Sequence, residues 1–158
     1  DIKYTERLDQ NKNTNFCIMD LEGIGRVGIA ICKDLVNEKV KLFHKYMGTD
    51  LLIVPAYTKS MDLQGSAQEL SKEYNCVVIV ANSCSALESR TKAGRVGFIT
   101  LPAKMKSDRT EVTLEYKRNE CMSRCAGGCM GKSITLDFGQ EATYDSQKSS
   151  YAVSSSTF

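Results

Sequence analysis

The chain has 158 residues, of which 42% are hydrophobic, and this content suffices for one domain with a buried core. Its 21 basic and 19 acidic residues give a net charge of +2 without a basic block, so the sequence predicts no nucleic-acid partner. Every apolar run is far shorter than the roughly 20 residues of a membrane helix, and no signal-peptide pattern is visible. The seven cysteines, an odd number at irregular spacing, suit reduced thiols. We therefore expect a cytoplasmic protein without membrane contact.

The first half of the chain alternates between strand and helix patterns. Strand-like apolar runs lie at residues 16–20, 26–32, 51–55 and 77–81, and helical patterns lie at residues 34–46 and 66–74. Gly23 and Gly25 supply turn chemistry between the first two runs, and Gly48 ends the first helical pattern. The order strand, helix, strand, helix, strand predicts an α/β fold with helices packed on a mixed sheet.

The second half is predicted to be poorer in helices. Shorter strand patterns lie at residues 96–101, 111–116 and 134–138. The last thirteen residues hold six serines, a composition typical of a frayed tail. We therefore divide the chain into a domain at residues 1–142 and a Ser-rich tail at residues 143–158.

Cys32 lies where a predicted strand gives way to a helix. Such a turn offers free backbone N–H groups and the positive end of a helix dipole, which stabilise a thiolate and a developing oxyanion. The position therefore suits a nucleophile in acyl transfer. It equally suits a buried core thiol, because free cysteine is among the most buried residue types.

A set of landmarks in register resembles the second half of the nitrilase, or carbon–nitrogen hydrolase, superfamily, most clearly over residues 24–102. The landmarks are Ile31, Cys32, Asp34, Val54, Pro55, Glu73, Ala81, Asn82, Gly97 and Pro102. The resemblance implies a four-layer α-β-β-α sandwich, of which this chain is a partial domain. It also implies a dimer that acts on a small-molecule amide or nitrile without a cofactor or a metal.

By the same resemblance, Cys32 attacks the amide or nitrile carbon and forms a thioester that water hydrolyses. The backbone N–H of Lys33 would lie in the oxyanion hole, and Asp34 would fix the turn. Glu73 and Asn82 would support the site, with Asn82 at a pocket rim. For Asp34 and Glu73 the alternative is a solvated charge on a helix, and Asn82 could simply cap a turn.

The family pairs this cysteine with a lysine and a general-base glutamate. Lys3 stands at a suitable distance ahead of Cys32, whereas no residue upstream matches the glutamate. We therefore expect the glutamate to come from preceding sequence or from another chain, and the chain by itself to be inactive. The alternative is a non-catalytic, hydrolase-like module with a structural, metal-binding or oligomerisation role.

Two further features bear on that alternative. Cys121, Cys125 and Cys129 recur at intervals of four, but the glycine pair between the last two disfavours a helix, and the spacing matches no common metal signature. Free thiols are therefore favoured there over metal ligands. His44 is the single histidine, and its place on the predicted helix favours a surface role over a cysteine–histidine pair.

Overall fold

The computed structural model describes residues 16–59, 63–87, 93–102, 111–117, 132–136 and 153–157. Within these ranges, a six-stranded mixed sheet is combined with two α-helices, which confirms the predicted α/β class. The sheet strands are β1 (Ile18–Leu21), β2 (Gly25–Ile29), β3 (Leu51–Ala56), β4 (Val77–Asn82), β5 (Ala93–Thr100) and β6 (Glu111–Lys117). The helices are α1 (Glu38–Tyr46) and α2 (Leu63–Tyr74), with short 3-10 helices at Cys32–Val36 and Cys84–Ala86.

The strands lie in the sheet in the order in which they occur along the chain. β2, β3 and β4 are parallel neighbours, and the remaining pairs in this sheet are antiparallel. Helical crossovers join the parallel strands, as parallel pairing requires. The carboxyl ends of β2, β3 and β4 therefore meet at one edge of the sheet, which is the edge that Cys32 reaches on leaving β2.

The hairpin between β1 and β2 depends on glycine. Gly23 has a φ of +77° and Gly25 a φ of +99°, a left-handed region that other residues rarely adopt. The predicted turn at these glycines is confirmed.

One face of the sheet is covered by the helices and forms the main core. Buried residues of β3 and β4 pack there against the buried stripe of α2. The cluster consists of Ala30, Leu35, Val40, Leu52, Val54, Leu63, Ala67, Leu70, Cys76, Val78, Val80 and Phe98. In the described ranges, this interface holds one buried polar pair, Ser71 and Thr100, whose hydroxyls lie 2.7 Å apart. The Thr100 hydroxyl also donates a hydrogen bond to the Ala67 carbonyl at 3.1 Å, so both hydroxyls have partners.

The opposite face of the sheet is apolar and partly open. Four isoleucines form one row across neighbouring strands, namely Ile29, Ile53, Ile79 and Ile99. Ile29 is 46% exposed and Ile53 is 37% exposed. Because a sheet that is apolar on both faces is stable with a further layer on its second face, this row marks a surface built to be covered.

The helix predicted from residue 34 onward is divided in the structure. The chain first forms the 3-10 helix Cys32–Val36, and α1 then begins afresh after Asn37. The Asn37 side chain accepts a hydrogen bond from the Lys39 N–H at 3.0 Å, which caps the new helix.

The buried stripe of α1 also differs from the apolar pattern of its sequence. Val40, Lys41 and His44 are buried, whereas Leu42 is exposed and Tyr46 is 80% exposed. The predicted surface role for His44 is therefore wrong, because its ring packs against Gly28 in the middle of β2. A Cβ atom at Gly28 would lie 2.6 Å from His44 Cε1, so the absence of a side chain on β2 makes room for the ring.

The prediction of a frayed tail is wrong at one segment. β8 (Val153–Thr157) pairs with β7 (Lys132–Leu136) in an antiparallel, two-stranded sheet. Its Ser and Thr residues form a strand because the partner strand satisfies their backbone groups.

Lys3 and the cysteine cluster at 121, 125 and 129 lie outside the described residues. Of the helices in the described ranges, none is long and apolar enough to span a membrane.

Candidate active site

Cys32 stands in a strained backbone conformation at the carboxyl edge of the sheet. The last bond between β2 and β3 runs from the Ala30 N–H to the Ile53 carbonyl at 3.1 Å, and Cys32 opens the 3-10 helix with a φ of +49°. Apart from glycines, Asn75 is the one other described residue with a positive φ. A left-handed cysteine costs free energy, and such strain gathers at functional sites, so the outlier points to a role for this thiol.

Asp34 holds the turn that follows Cys32. Its carboxylate accepts a hydrogen bond from the Ile31 N–H at 3.2 Å, and its own N–H donates to the Ile31 carbonyl at 2.9 Å. The next residue, Leu35, is fully buried and anchors the turn in the core. The carboxylate of Asp34 is thus engaged with the backbone, which is a structural task.

Lys33 contributes a backbone N–H at the start of the 3-10 helix. N–H groups in the first turn of a helix lack intrahelical partners, so the Lys33 N–H suits an oxyanion donor by position. Its side chain is exposed. The helix has five residues, however, so its dipole contributes less than the long helix that the sequence predicted.

The Cys32 thiol faces the chain segment that follows β3. Its S–H donates a hydrogen bond to the Tyr57 carbonyl, with 3.9 Å between Sγ and the oxygen. Cys32 is half-buried, and Tyr57 is 64% exposed. The thiol is therefore accessible and at the same time held in a defined direction.

Asn82 fixes that same segment from the end of β4. Its Oδ1 accepts from the Thr58 N–H at 3.0 Å, and its Nδ2 donates to the Thr58 carbonyl at 2.9 Å and to the Arg95 carbonyl at 3.4 Å. The Ser83 N–H adds a bond to the Ala56 carbonyl at 3.2 Å. The structure thus brings Cys32 and Asn82 to one edge and links them through Tyr57 and Thr58.

Glu73 lies elsewhere. It is exposed in the last turn of α2, which leads into the amino end of β4, whereas Cys32 follows the carboxyl end of β2. The described structure does not bring Glu73 to the edge that carries Cys32, so its supporting role stays a prediction. The catalytic role of Lys3 also stays a prediction.

The other described thiols differ from Cys32 in their surroundings. Cys17 is exposed, and Cys76 is buried in the main core. Burial, assisted by the negative charge of Asp50, raises the pKa of the Cys76 thiol to about 12. Cys76 is thus an inert core thiol, and the alternative that the sequence left open for Cys32 fits Cys76 instead.

His44 takes no part in a pair with Cys32. Its Nδ1 is hydrogen-bonded to the Thr49 hydroxyl at 3.1 Å, and its ring lies against the middle of β2. Burial lowers the pKa of His44, so the ring stays neutral in the fold.

Sequence patterns missed Tyr57 and Thr58. Both act through backbone atoms, and side-chain identity does not encode the direction of a carbonyl group. The position of the segment could have been inferred from the strand end at Pro55 and Ala56, because the carboxyl ends of parallel strands share one edge.

No protein-family model matches the chain, and no curated protein matches it. Among solved structures, the fold is similar to the crystal structure of Saccharomyces cerevisiae Nit3, a member of branch 10 of the nitrilase superfamily. The TM-score is 0.46 with 14% sequence identity, and the match covers 72% of this chain. The chain spans 45% of the length of that protein. A likeness at this level concerns the arrangement of strands and helices, and it assigns no activity or residue.

Proposed function

We propose that the chain carries the cysteine part of a carbon–nitrogen hydrolase site that acts on a small-molecule amide or nitrile. The observation that carries the proposal is the left-handed backbone of Cys32, with a φ of +49°, at the edge where the parallel strands end. Ligand sites of open α/β sheets gather at that edge. The family resemblance in the sequence and the hold of Asp34 on the turn support the same reading.

For an amide, the proposed reaction has two stages. The thiolate of Cys32 attacks the carbonyl carbon, the carbon–nitrogen bond breaks, and ammonia or an amine leaves with one proton. Water then attacks the thioester, which releases the carboxylic acid and restores the thiol. The Lys33 N–H is proposed to donate to the oxyanion in both stages.

The base has to come from outside the described site. A peptide carbonyl such as that of Tyr57 accepts a hydrogen bond but does not take up the proton. The carboxylate of Asp34 is engaged with the Ile31 N–H. We therefore assign the base to a glutamate on preceding sequence or on another chain, and the stabilising cation to Lys3.

The open face of the sheet supports that assignment. The isoleucine row, with Ile29 46% exposed, runs across the sheet close to the edge that carries Cys32. A second apolar sheet laid on this row would complete a four-layer sandwich and could bring a carboxylate to the same edge. In this proposal the full domain forms a dimer.

The test is ammonia release from a panel of small amides, measured on the chain extended by its preceding sequence. Replacement of Cys32 by alanine is expected to abolish release, because no thioester can form. Cys17→Ala is the matched control, since Cys17 is exposed and lies outside the site, and it is expected to keep the full rate. Release that survives in Cys32→Ala would exclude the thioester mechanism.

The open face also favours a second candidate, a non-catalytic module that assembles through its sheet. Exposed isoleucines of this kind mark interaction surfaces. Ile53→Glu places a charge in the row and is expected to lower the assembled mass in sedimentation if assembly through this face is the function. Metal binding by Cys121, Cys125 and Cys129 would be a further role of such a module.

A further inference from the structure

Asn82 makes an unusually complete contact with one peptide segment. Its amide oxygen accepts from the Thr58 N–H at 3.0 Å, and its amide nitrogen donates to the Thr58 carbonyl at 2.9 Å. One side chain thus satisfies both backbone groups of the same residue, in the way that a neighbouring strand would. The segment after β3 is held there although the β3–β4 ladder ends at Ala56 and Asn82.

The Asn82 amide is itself anchored on its far side. Its Nδ2 also donates to the Arg95 carbonyl at 3.4 Å. The Arg95 side chain is fixed in turn, because its Nη1 donates to Gln64 Oε1 at 2.6 Å and to Glu111 Oε1 at 3.3 Å. Asn82 therefore ties the segment to β5 as well as to β4.

The held segment bears the acceptor of the Cys32 thiol. Tyr57 immediately precedes Thr58, and its carbonyl receives the Cys32 S–H at 3.9 Å. We infer that Asn82 is a positioning residue, which holds the Tyr57 carbonyl over Cys32 and thereby fixes the direction of the thiol. The inference rests on the proposed function for its catalytic meaning, while its geometry concerns the thiol alone.

The contact with the Tyr57 carbonyl holds the thiol in one direction. When the segment is released, the Cys32 side chain is no longer held against it, and a small alkylating reagent reaches the sulfur more readily. The effect should be confined to Cys32, because the Asn82 amide contacts Thr58 and the Arg95 carbonyl and no other described thiol.

The test is the alkylation rate of Cys32 by iodoacetamide, mapped by mass spectrometry on the 158-residue chain and normalised to the exposed Cys17. Asn82→Ala removes both bonds to Thr58 without adding a charge near the thiol, which should release the segment. Ser85→Ala is the matched control, because it removes the Ser83–Ser85 hydroxyl contact of 2.8 Å just after β4 without touching Thr58.

In Asn82→Ala, the normalised rate near neutral pH is expected to rise about threefold or more over the unmodified chain, as the loss of one hydrogen bond allows. Ser85→Ala should show a ratio of one. A ratio that is unchanged in Asn82→Ala, or that rises equally in Ser85→Ala, would overturn the inference.

A second measurement needs no variant. In the unmodified chain, hydrogen exchange of the Thr58 amide should be protected, because Asn82 Oδ1 accepts from it. Exchange as fast as in an unstructured peptide would also overturn the inference. Neither measurement depends on hydrolysis, so a failure here is distinct from a failure of the Cys32→Ala test of activity.

Discussion

The strain at Cys32 can be measured by exchanging the cysteine for alanine and, separately, for glycine. Alanine keeps a Cβ atom and therefore keeps the strain of a φ of +49°. Glycine removes that strain, which for a residue with a Cβ atom amounts to about 1–2 kcal/mol. Both variants lose the thiol and its bond to Tyr57, so the difference between them isolates the backbone.

The size of the difference follows from two opposing terms. Against the relief of about 1–2 kcal/mol, glycine loses about 0.5–1 kcal/mol through the greater freedom of the unfolded chain. Cys32→Gly should therefore be more stable than Cys32→Ala by up to about 1.5 kcal/mol. Cys17 is a described residue without a positive φ, so at that position glycine should be less stable than alanine by about 0.5–1 kcal/mol.

The assay is urea unfolding of the four variants, compared through their midpoints at equal slope. Thermal unfolding should follow, at about 2–4 °C per kcal/mol for a chain of this size. The decisive quantity is the sign of the glycine–alanine difference, which should be opposite at Cys32 and Cys17. The same sign at both positions would show that Cys32 carries no backbone strain, and the main support for its role as nucleophile would be lost.

Three further outcomes test the fold around the site. Burial lowers the pKa of His44, so the unfolded chain takes up the proton first as the pH falls; the free energy of unfolding should hold above about pH 6.5 and decrease below it, and His44→Gln should flatten this profile in urea titrations. Gly28→Ala should cost about 2 kcal/mol or more because the new Cβ would meet the His44 ring, whereas Gly65→Ala, in open space on α2, should gain about 0.5–1 kcal/mol in the same unfolding assay. The Lys41 side chain is 7% exposed, and its ammonium lies 2.6 Å from both Glu38 and Glu69. Lys41→Met should change the stability by less than about 1 kcal/mol. Glu69→Gln, which removes one of the two charged partners of a buried cation, should cost more, and the reverse order would contradict the reasoning.

The sheet and its helical crossovers could be predicted because continuous apolar runs signal buried parallel strands. Residues 51–55 and 77–81 correspond to β3 (Leu51–Ala56) and β4 (Val77–Asn82), and the helical pattern at 66–74 lies within α2. Glycines marked the turns correctly, since a left-handed φ is needed there. These features depend on local periodicity, which can be read directly from the sequence.

The orientation of α1 could not be predicted in the same way. Its most apolar exposed positions, Leu42 and Tyr46, suggested one stripe, but Lys41 and His44 are buried instead. Lys41 has a charged partner far along the sequence, Glu69. The His44 ring fills the space that Gly28 leaves on β2. Such tertiary compensation is invisible to a periodicity that scores each residue by its hydrophobicity.

The candidate site, too, could be predicted from the sequence only in part. The position of Cys32 at a strand end follows from the sequence pattern, and the tie between Asp34 and the turn was an expectation from the family resemblance. The left-handed φ of Cys32, the Tyr57 carbonyl above its thiol and the grip of Asn82 on Thr58 are properties of the backbone path. They appear once the parallel strands bring the separate segments to one edge.

These features imply a division of labour in the proposed hydrolase. In the described sheet, a rigid frame holds Cys32 in its strained conformation. Asp34 fixes the turn, and Asn82 fixes the facing carbonyl. What this frame lacks is a free carboxylate beside the thiol, and an open apolar row lies next to the same edge, with Ile53 37% exposed. A layer that covers the row would bury apolar area and deliver the base in one step, so folding of the complete domain and activation of the cysteine would be coupled. Such coupling fits a thiol that the described residues hold in place without a free carboxylate beside it.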